Sequence, residues 1–79
     1  MRIDKFLKVS RIIKRRTVAN EACDAGRVEV NGKVARASYD VKPGDEIKIS
    51  MGQTPRRYRV LSVVEHALKE DANSMYEIL

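Results

Sequence analysis

Apolar residues recur first at helical spacing and then in alternation, and that switch predicts where helices give way to strands. Ile3, Phe6 and Leu7 stand at i, i+3 and i+4, the pattern of a short helix with one buried stripe. Ile12 and Ile13 follow, and a polar run then reaches Thr17, whose hydroxyl is suited to capping the free amides of a second helix. Asn20 stands where a full capping box would carry Glu or Gln. Val18, Ala22 and Cys23 form the inward stripe of this helix, with Ala19 and Ala25 small enough for close packing. Gly26 ends it by supplying the left-handed residue after the last turn.

Beyond Gly26 the period is two. Val28 and Val30 point one way and Glu29 the other, and Asn31-Gly32 offers the two positive-φ residues of a type I′ hairpin, so Lys33-Val34-Ala35 returns as the partner strand. Lys42-Pro43-Gly44-Asp45 predicts a second turn, with residues 46–50 as the strand after it. A loop over 52–55 leads to a last strand over 57–64. Residues 65–71 allow a turn or two of helix, and Ser74 with Glu77 has capping-box spacing. The expected fold is α+β, with two or three short N-terminal helices on a small, mostly antiparallel sheet over residues 1–64. Residues 65–79 form a tail, helical in part and prone to fray.

Composition narrows the function. A chain of 79 residues has room for one small domain whose core uses few residues, which leaves function to the surface. One Cys and one His exclude an internal disulfide and a Cys/His zinc cluster. No apolar run exceeds two residues, so no membrane span or secretory leader is expected, and a cytoplasmic setting follows. Apolar residues at 43% argue against wholesale disorder.

The net charge of +5 is unevenly distributed. Up to Arg36 there are ten bases against four acids, and after it six against seven. The first 16 residues hold seven bases and a single acid, Asp4, whereas a solvated helix face would usually interleave Glu for i,i+4 pairs. This block reads as a polyanion footprint. Arg2, Arg15 and Arg16 lead the candidates, because a guanidinium grips phosphate through two parallel hydrogen bonds. Lys5, Lys8, Arg11 and Lys14 are expected to add phosphate attraction, and Thr17 to offer its helix-terminal amide. Asn20, facing outward, and Arg27 and Lys33 near the hairpin complete the set. An ion pair between Arg2 and Asp4, and solvation of Arg16 beside the Thr17 cap, are the weaker alternatives.

Other residues read as structural. Cys23 and Phe6 belong to the core, His66 to the surface, and Tyr39, Tyr58 and Tyr76 are too dispersed for base stacking. Arg56, Arg57 and Arg59 form a second basic patch that edge protection explains as well as RNA binding does.

The run Arg2-Ile3-Asp4-Lys5-Phe6-Leu7, the Arg16-Thr17 helix entry and the stretch Gly26-Arg27-Val28-Glu29-Val30-Asn31-Gly32-Lys33 together resemble the S4 RNA-binding domain family. The resemblance covers roughly the first 50 residues and implies the S4-like (αL) fold. Residues 5–11, 14–17, 40–46 and 75–79 resemble its stand-alone, heat-shock-protein-15-like ribosome quality-control members, while nothing functional is carried over between Met51 and Asn73. Arg2 and Arg16 match the family motif position by position. The resemblance implies binding to rRNA of a large ribosomal subunit still blocked by peptidyl-tRNA. It also implies a larger tRNA-recruiting quality-control factor that adds alanine to the stalled chain.

No cofactor, metal or catalytic residue is expected, and the free chain is expected to be a monomer. The alternatives are a general structured-RNA binder, a ribosomal or ribosome-assembly protein, and a helix-turn-helix DNA binder. S4 domains also accompany pseudouridine synthases, but this chain offers no aspartate in a catalytic motif.

Overall fold

The computed structural model describes residues 1–65 and 69–79. Helices α1 (Ile3–Val9) and α2 (Arg16–Asp24) come first, followed by strands β1 (Val28–Val30), β2 (Lys33–Val34), β3 (Glu46–Ile49) and β4 (Arg56–Val60). A one-turn helix α3 (Lys69–Ala72) and strand β5 (Tyr76–Ile78) close the chain. The strands form one antiparallel sheet in the order β2-β1-β3-β4-β5. Two helices, not three, precede the sheet, so the α+β expectation holds in its two-helix form.

The core lies between the helices and one sheet face. Ile3, Phe6 and Leu7 of α1 are fully buried, as are Ala19 of α2, Val28 of β1 and Ile47 of β3. Ala22, Cys23, Val30, Ile49, Tyr58 and Val60 complete this layer. On α2, Val18 is only half-buried and Ala25 is exposed, because the helix turns Ala19, Ala22 and Cys23 inward instead.

Local turn chemistry explains how the chain passes from helix to sheet. Gly26 has φ +73, its amide bonds the Cys23 carbonyl at 3.0 Å, and the Arg27 amide bonds the Ala22 carbonyl at 3.0 Å. This pair of bonds is a Schellman stop, and it aims the chain directly into β1. Asn31 and Gly32 have φ values of +52 and +86, as the type I′ hairpin requires. Asn31 also clamps the hairpin to the next strand, donating to Asp45 at 3.1 Å and accepting from the Glu46 amide at 3.0 Å.

Several expectations give way to tertiary contacts. α2 begins at Arg16 and Arg15 takes the extended position before it, so Thr17 is inside the helix and no side chain caps it. The last strand stops at Val60, and Ser74 bonds the Asp71 carbonyl at 2.7 Å instead of opening a helix. The segment after it pairs with β4 as the fifth strand, because Tyr76 packs edge-on against Tyr58 with ring centroids 5.4 Å apart. These two tyrosines are therefore partners in packing rather than dispersed. β4 lies inside the sheet, which removes the edge-protection account of its arginines. On the face away from the helices, Arg57 pairs with Glu46 at 3.5 Å and Arg59 with Glu77 at 3.6 Å. His66, assigned to the surface from sequence, lies outside the described residues.

Candidate nucleic-acid interface

The N-terminal end of α1 is fastened before any side chain is considered. The Ile3 amide bonds the Tyr39 carbonyl at 2.7 Å, the Asp4 amide bonds the Ala37 carbonyl at 3.3 Å, and Arg2 forms a backbone bridge with Asp40. Arg2 precedes the helix, and its carbonyl accepts the Phe6 amide at 2.9 Å. Asp4 follows in the first turn, where a carboxylate complements the helix dipole. Its Oδ1 accepts the Lys5 amide at 2.8 Å, which is one of the first-turn donors without an intrahelical partner.

Asp4 is only 2% exposed, yet it is charged and organises the site. Arg2 reaches it with two parallel contacts, Nε to Oδ1 and Nη2 to Oδ2, both at 3.2 Å. Arg16 crosses from α2 to the same carboxylate, with Nη2 3.4 Å from Oδ1 and Nε 3.4 Å from Oδ2. Asn20, one turn further along α2, donates to Oδ2 at 3.4 Å. The two arginine side chains nevertheless remain 51% and 47% exposed. Asp4 thus fixes their direction and leaves their outer donors facing water. The Arg2–Asp4 pair, set aside as the weaker alternative on sequence grounds, is present. Arg16 is ion-paired rather than merely solvated, and Asn20 is half-buried rather than outward-facing.

Burial pushes the Asp4 carboxyl up, but the bonds from Asn20, Arg16, Arg2 and the Lys5 amide outweigh it and hold the group below its usual range. A depressed carboxyl stabilises the fold fully above the ordinary value of about 3.9, and that stabilisation disappears as pH falls through the lower folded value. Unfolding free energy is therefore expected to fall below about pH 4. Asp40 is also lowered, by the hydrogen bond and charge of the Met1 ammonium, so Asp4→Asn should flatten the acid limb only in part. A variant whose acid limb matches wild type would contradict this assignment.

The remaining candidates divide by environment. Lys5 is paired with Glu65. Lys8 in the last turn of α1, and Arg11, Lys14 and Arg15 along the connection to α2, are exposed and form no ion pair with the described residues. Thr17 lines a groove of about 370 Å³ with Asp4, Arg16, Asn20 and Glu21. Arg27 lies beyond the C-terminal end of α2 and Lys33 on the edge strand β2, both exposed and apart from the Asp4 cluster. Cys23 is core, and burial, with the charges of Asp4 and Asp24, pushes its thiol up to about 11.

Arg11 has φ +64, a left-handed conformation that is costly for a side chain carrying a Cβ. Arg11→Gly is expected to raise stability by roughly 0.5–1 kcal/mol, after discounting the added freedom of the unfolded glycine. For a domain of this size that is about 3–6 °C in Tm, and a lowered Tm would contradict it.

Asp4, which organises the candidate site, does not stand out as a binding residue in the pattern of charge. The available signal was a lone acid among seven bases, set between two residues of the apolar stripe.

The S4 domain family model matches residues 1–47. The RQC P-site tRNA stabilizing factor of Bacillus subtilis is 53% identical over 79 residues, covering 100% of this chain and 92% of that protein. The chain belongs to this S4-domain family. The factor of the same name from Streptococcus pneumoniae is 52% identical, covering 100% of this chain and 90% of its own. Among solved structures, the trimeric heat shock protein 15 of Vibrio cholerae superposes with a TM-score of 0.91 at 25% identity, covering 100% of this chain and 81% of that one. The S4 match spans both helices and the hairpin, and so includes the whole Asp4 cluster.

Proposed function

We propose that this chain is a non-catalytic RNA-binding factor of cytoplasmic ribosome quality control. It binds rRNA of large subunits that still carry peptidyl-tRNA and steadies the tRNA in the P site. A larger tRNA-recruiting factor then adds alanine to the stalled chain. The observation that carries the reading is the buried Asp4 holding Arg2 and Arg16 half-exposed at the starts of two helices. Double-helical RNA conceals its base edges in a deep groove, so a rigid pair of guanidiniums reads the spacing of phosphates and 2′-hydroxyls rather than sequence. The uncapped amides of α2 lie beside Arg16 and suit an anion in the same place. Lys8, Arg11, Lys14 and Arg15 add longer-range attraction. The relatives named RQC P-site tRNA stabilizing factors support the ribosomal setting.

The test is a pull-down of the chain from cells, scored for large subunits, peptidyl-tRNA and the tRNA-recruiting factor. Enrichment of large subunits together with peptidyl-tRNA and the tRNA-recruiting factor is expected. Stable presence in every ribosome would favour a ribosomal protein, and preference for duplex DNA over structured RNA would overturn the reading.

A further inference from the structure

A second groove, of about 560 Å³, opens on the other side of Asn20 from the one beside Arg16. Its floor is small and largely buried: Cys23, Ala35 and Ala37. Arg36, absent from the candidates read off the sequence, lines it opposite the helices. This guanidinium is exposed and has no ion pair among the described residues. Val34, 64% exposed, adds an apolar rim.

The wall carrying Arg36 has little regular structure, but it is fixed in place. The Ala35 amide bonds the Val28 carbonyl at 3.0 Å, the Ala37 carbonyl accepts the Asp4 amide, and the Arg36 carbonyl accepts the Tyr39 amide at 2.9 Å. Occupation of the groove therefore costs little ordering entropy. The groove is an open cleft whose lining is as polar as it is apolar, so it offers small apolar surface to a base beside charged groups for the base edge and the phosphate.

We propose that this groove holds one unstacked nucleotide of the bound RNA. The proposal rests on the RNA-binding reading above and goes beyond it by assigning a nucleotide subsite. Asn20 and Asp24, both lining the groove, are one helical turn apart on α2, about 6 Å along its axis. Asn20 shares Asp4 with Arg2, so Arg2 stands at one end and the Asp24 carboxylate at the other. A phosphate is attracted to the Arg2 end and repelled from the Asp24 end. Asp24 accepts hydrogen bonds only, so it faces N–H donors on the base edge. The sugar and base lie over the alanine floor, and Arg36 closes on the phosphate or stacks on the base.

Two exposed-site variants test the subsite in the full chain, with affinity for purified large subunits and thermal unfolding as readouts. Arg36→Gln removes the guanidinium, and Ser38→Trp fills the groove from its exposed wall without changing charge. Both are expected to lower affinity about tenfold while leaving Tm within a few degrees of wild type. Wild-type affinity in both, while Arg16→Gln has lost binding, overturns the subsite and leaves the RNA-binding reading standing. Loss in Arg36→Gln alone also overturns it, because it makes Arg36 an outside phosphate contact. Wild-type affinity in all three variants overturns the subsite and removes Arg16 from the interface, whereas no binding of the wild-type chain to large subunits means that the RNA-binding reading itself has failed.

Discussion

Asp4→Asn makes the chain more basic by one charge and is expected to bind RNA roughly 5- to 150-fold more weakly. If the interface were a diffuse positive surface, removing an acid would strengthen binding. The geometry predicts the reverse, because Asp4 is what aims Arg2 and Arg16. Asparagine can still accept the Lys5 amide, but it offers two guanidiniums neither charge nor a second equivalent oxygen. Freed arginines would sample many rotamers, and ordering them again on RNA costs about 0.5–1.5 kcal/mol each. Removing the carboxylate also leaves two like charges close together. The partners are half-exposed and solvent-screened, so the stability loss is expected to be about 1–2 kcal/mol rather than the 3–5 of a fully buried pair. Binding measured well below the variant's Tm separates the two effects, and tighter binding would sink the role given to Asp4.

The second large effect is expected at Arg16. Charge reversal to Glu would set a second carboxylate against buried Asp4 and destabilise the fold as well as weaken RNA binding. Arg16→Gln is the cleaner variant. Asp4 keeps Arg2, Asn20 and the Lys5 amide, so Tm is expected to fall by only a few degrees. RNA loses a charge-assisted contact of about 1.5–3 kcal/mol, or roughly 10- to 150-fold in affinity, and the salt slope should become shallower by about one. Wild-type affinity for large subunits would remove Arg16 from the interface.

Legibility in the sequence followed the range of the interaction. The Gly26 helix stop and the Asn31-Gly32 hairpin depend on the φ preferences of adjacent residues, and both are found as the sequence implies. The core stripe Ile3-Phe6-Leu7 is likewise a matter of period. β5 was not legible, because its strand state comes from pairing with β4 and from Tyr58 meeting Tyr76, which outweigh a local capping pattern. The start of α2 moved for a similar reason: Arg16 is held to Asp4 of α1, while Thr17 has only a local preference. In the candidate site, charge density marked the segment that carries the Asp4 cluster, but it could not separate cations that share a buried carboxylate from those that share none. Nor could it bring Arg36 to a groove with Arg2, since that depends on how the chain after β2 returns to α1.

We propose that a phosphate-binding face at the starts of α1 and α2 docks this chain on large-subunit RNA. The direct measurement is the affinity of the wild-type chain for large subunits carrying peptidyl-tRNA, taken across a series of salt concentrations. With Arg2 and Arg16 joined by Lys8, Arg11, Lys14 and Arg15, about six phosphates are neutralised. The logarithm of the binding constant should then fall with that of salt at a slope near −5. A slope near zero, or no binding at low salt, would contradict the account.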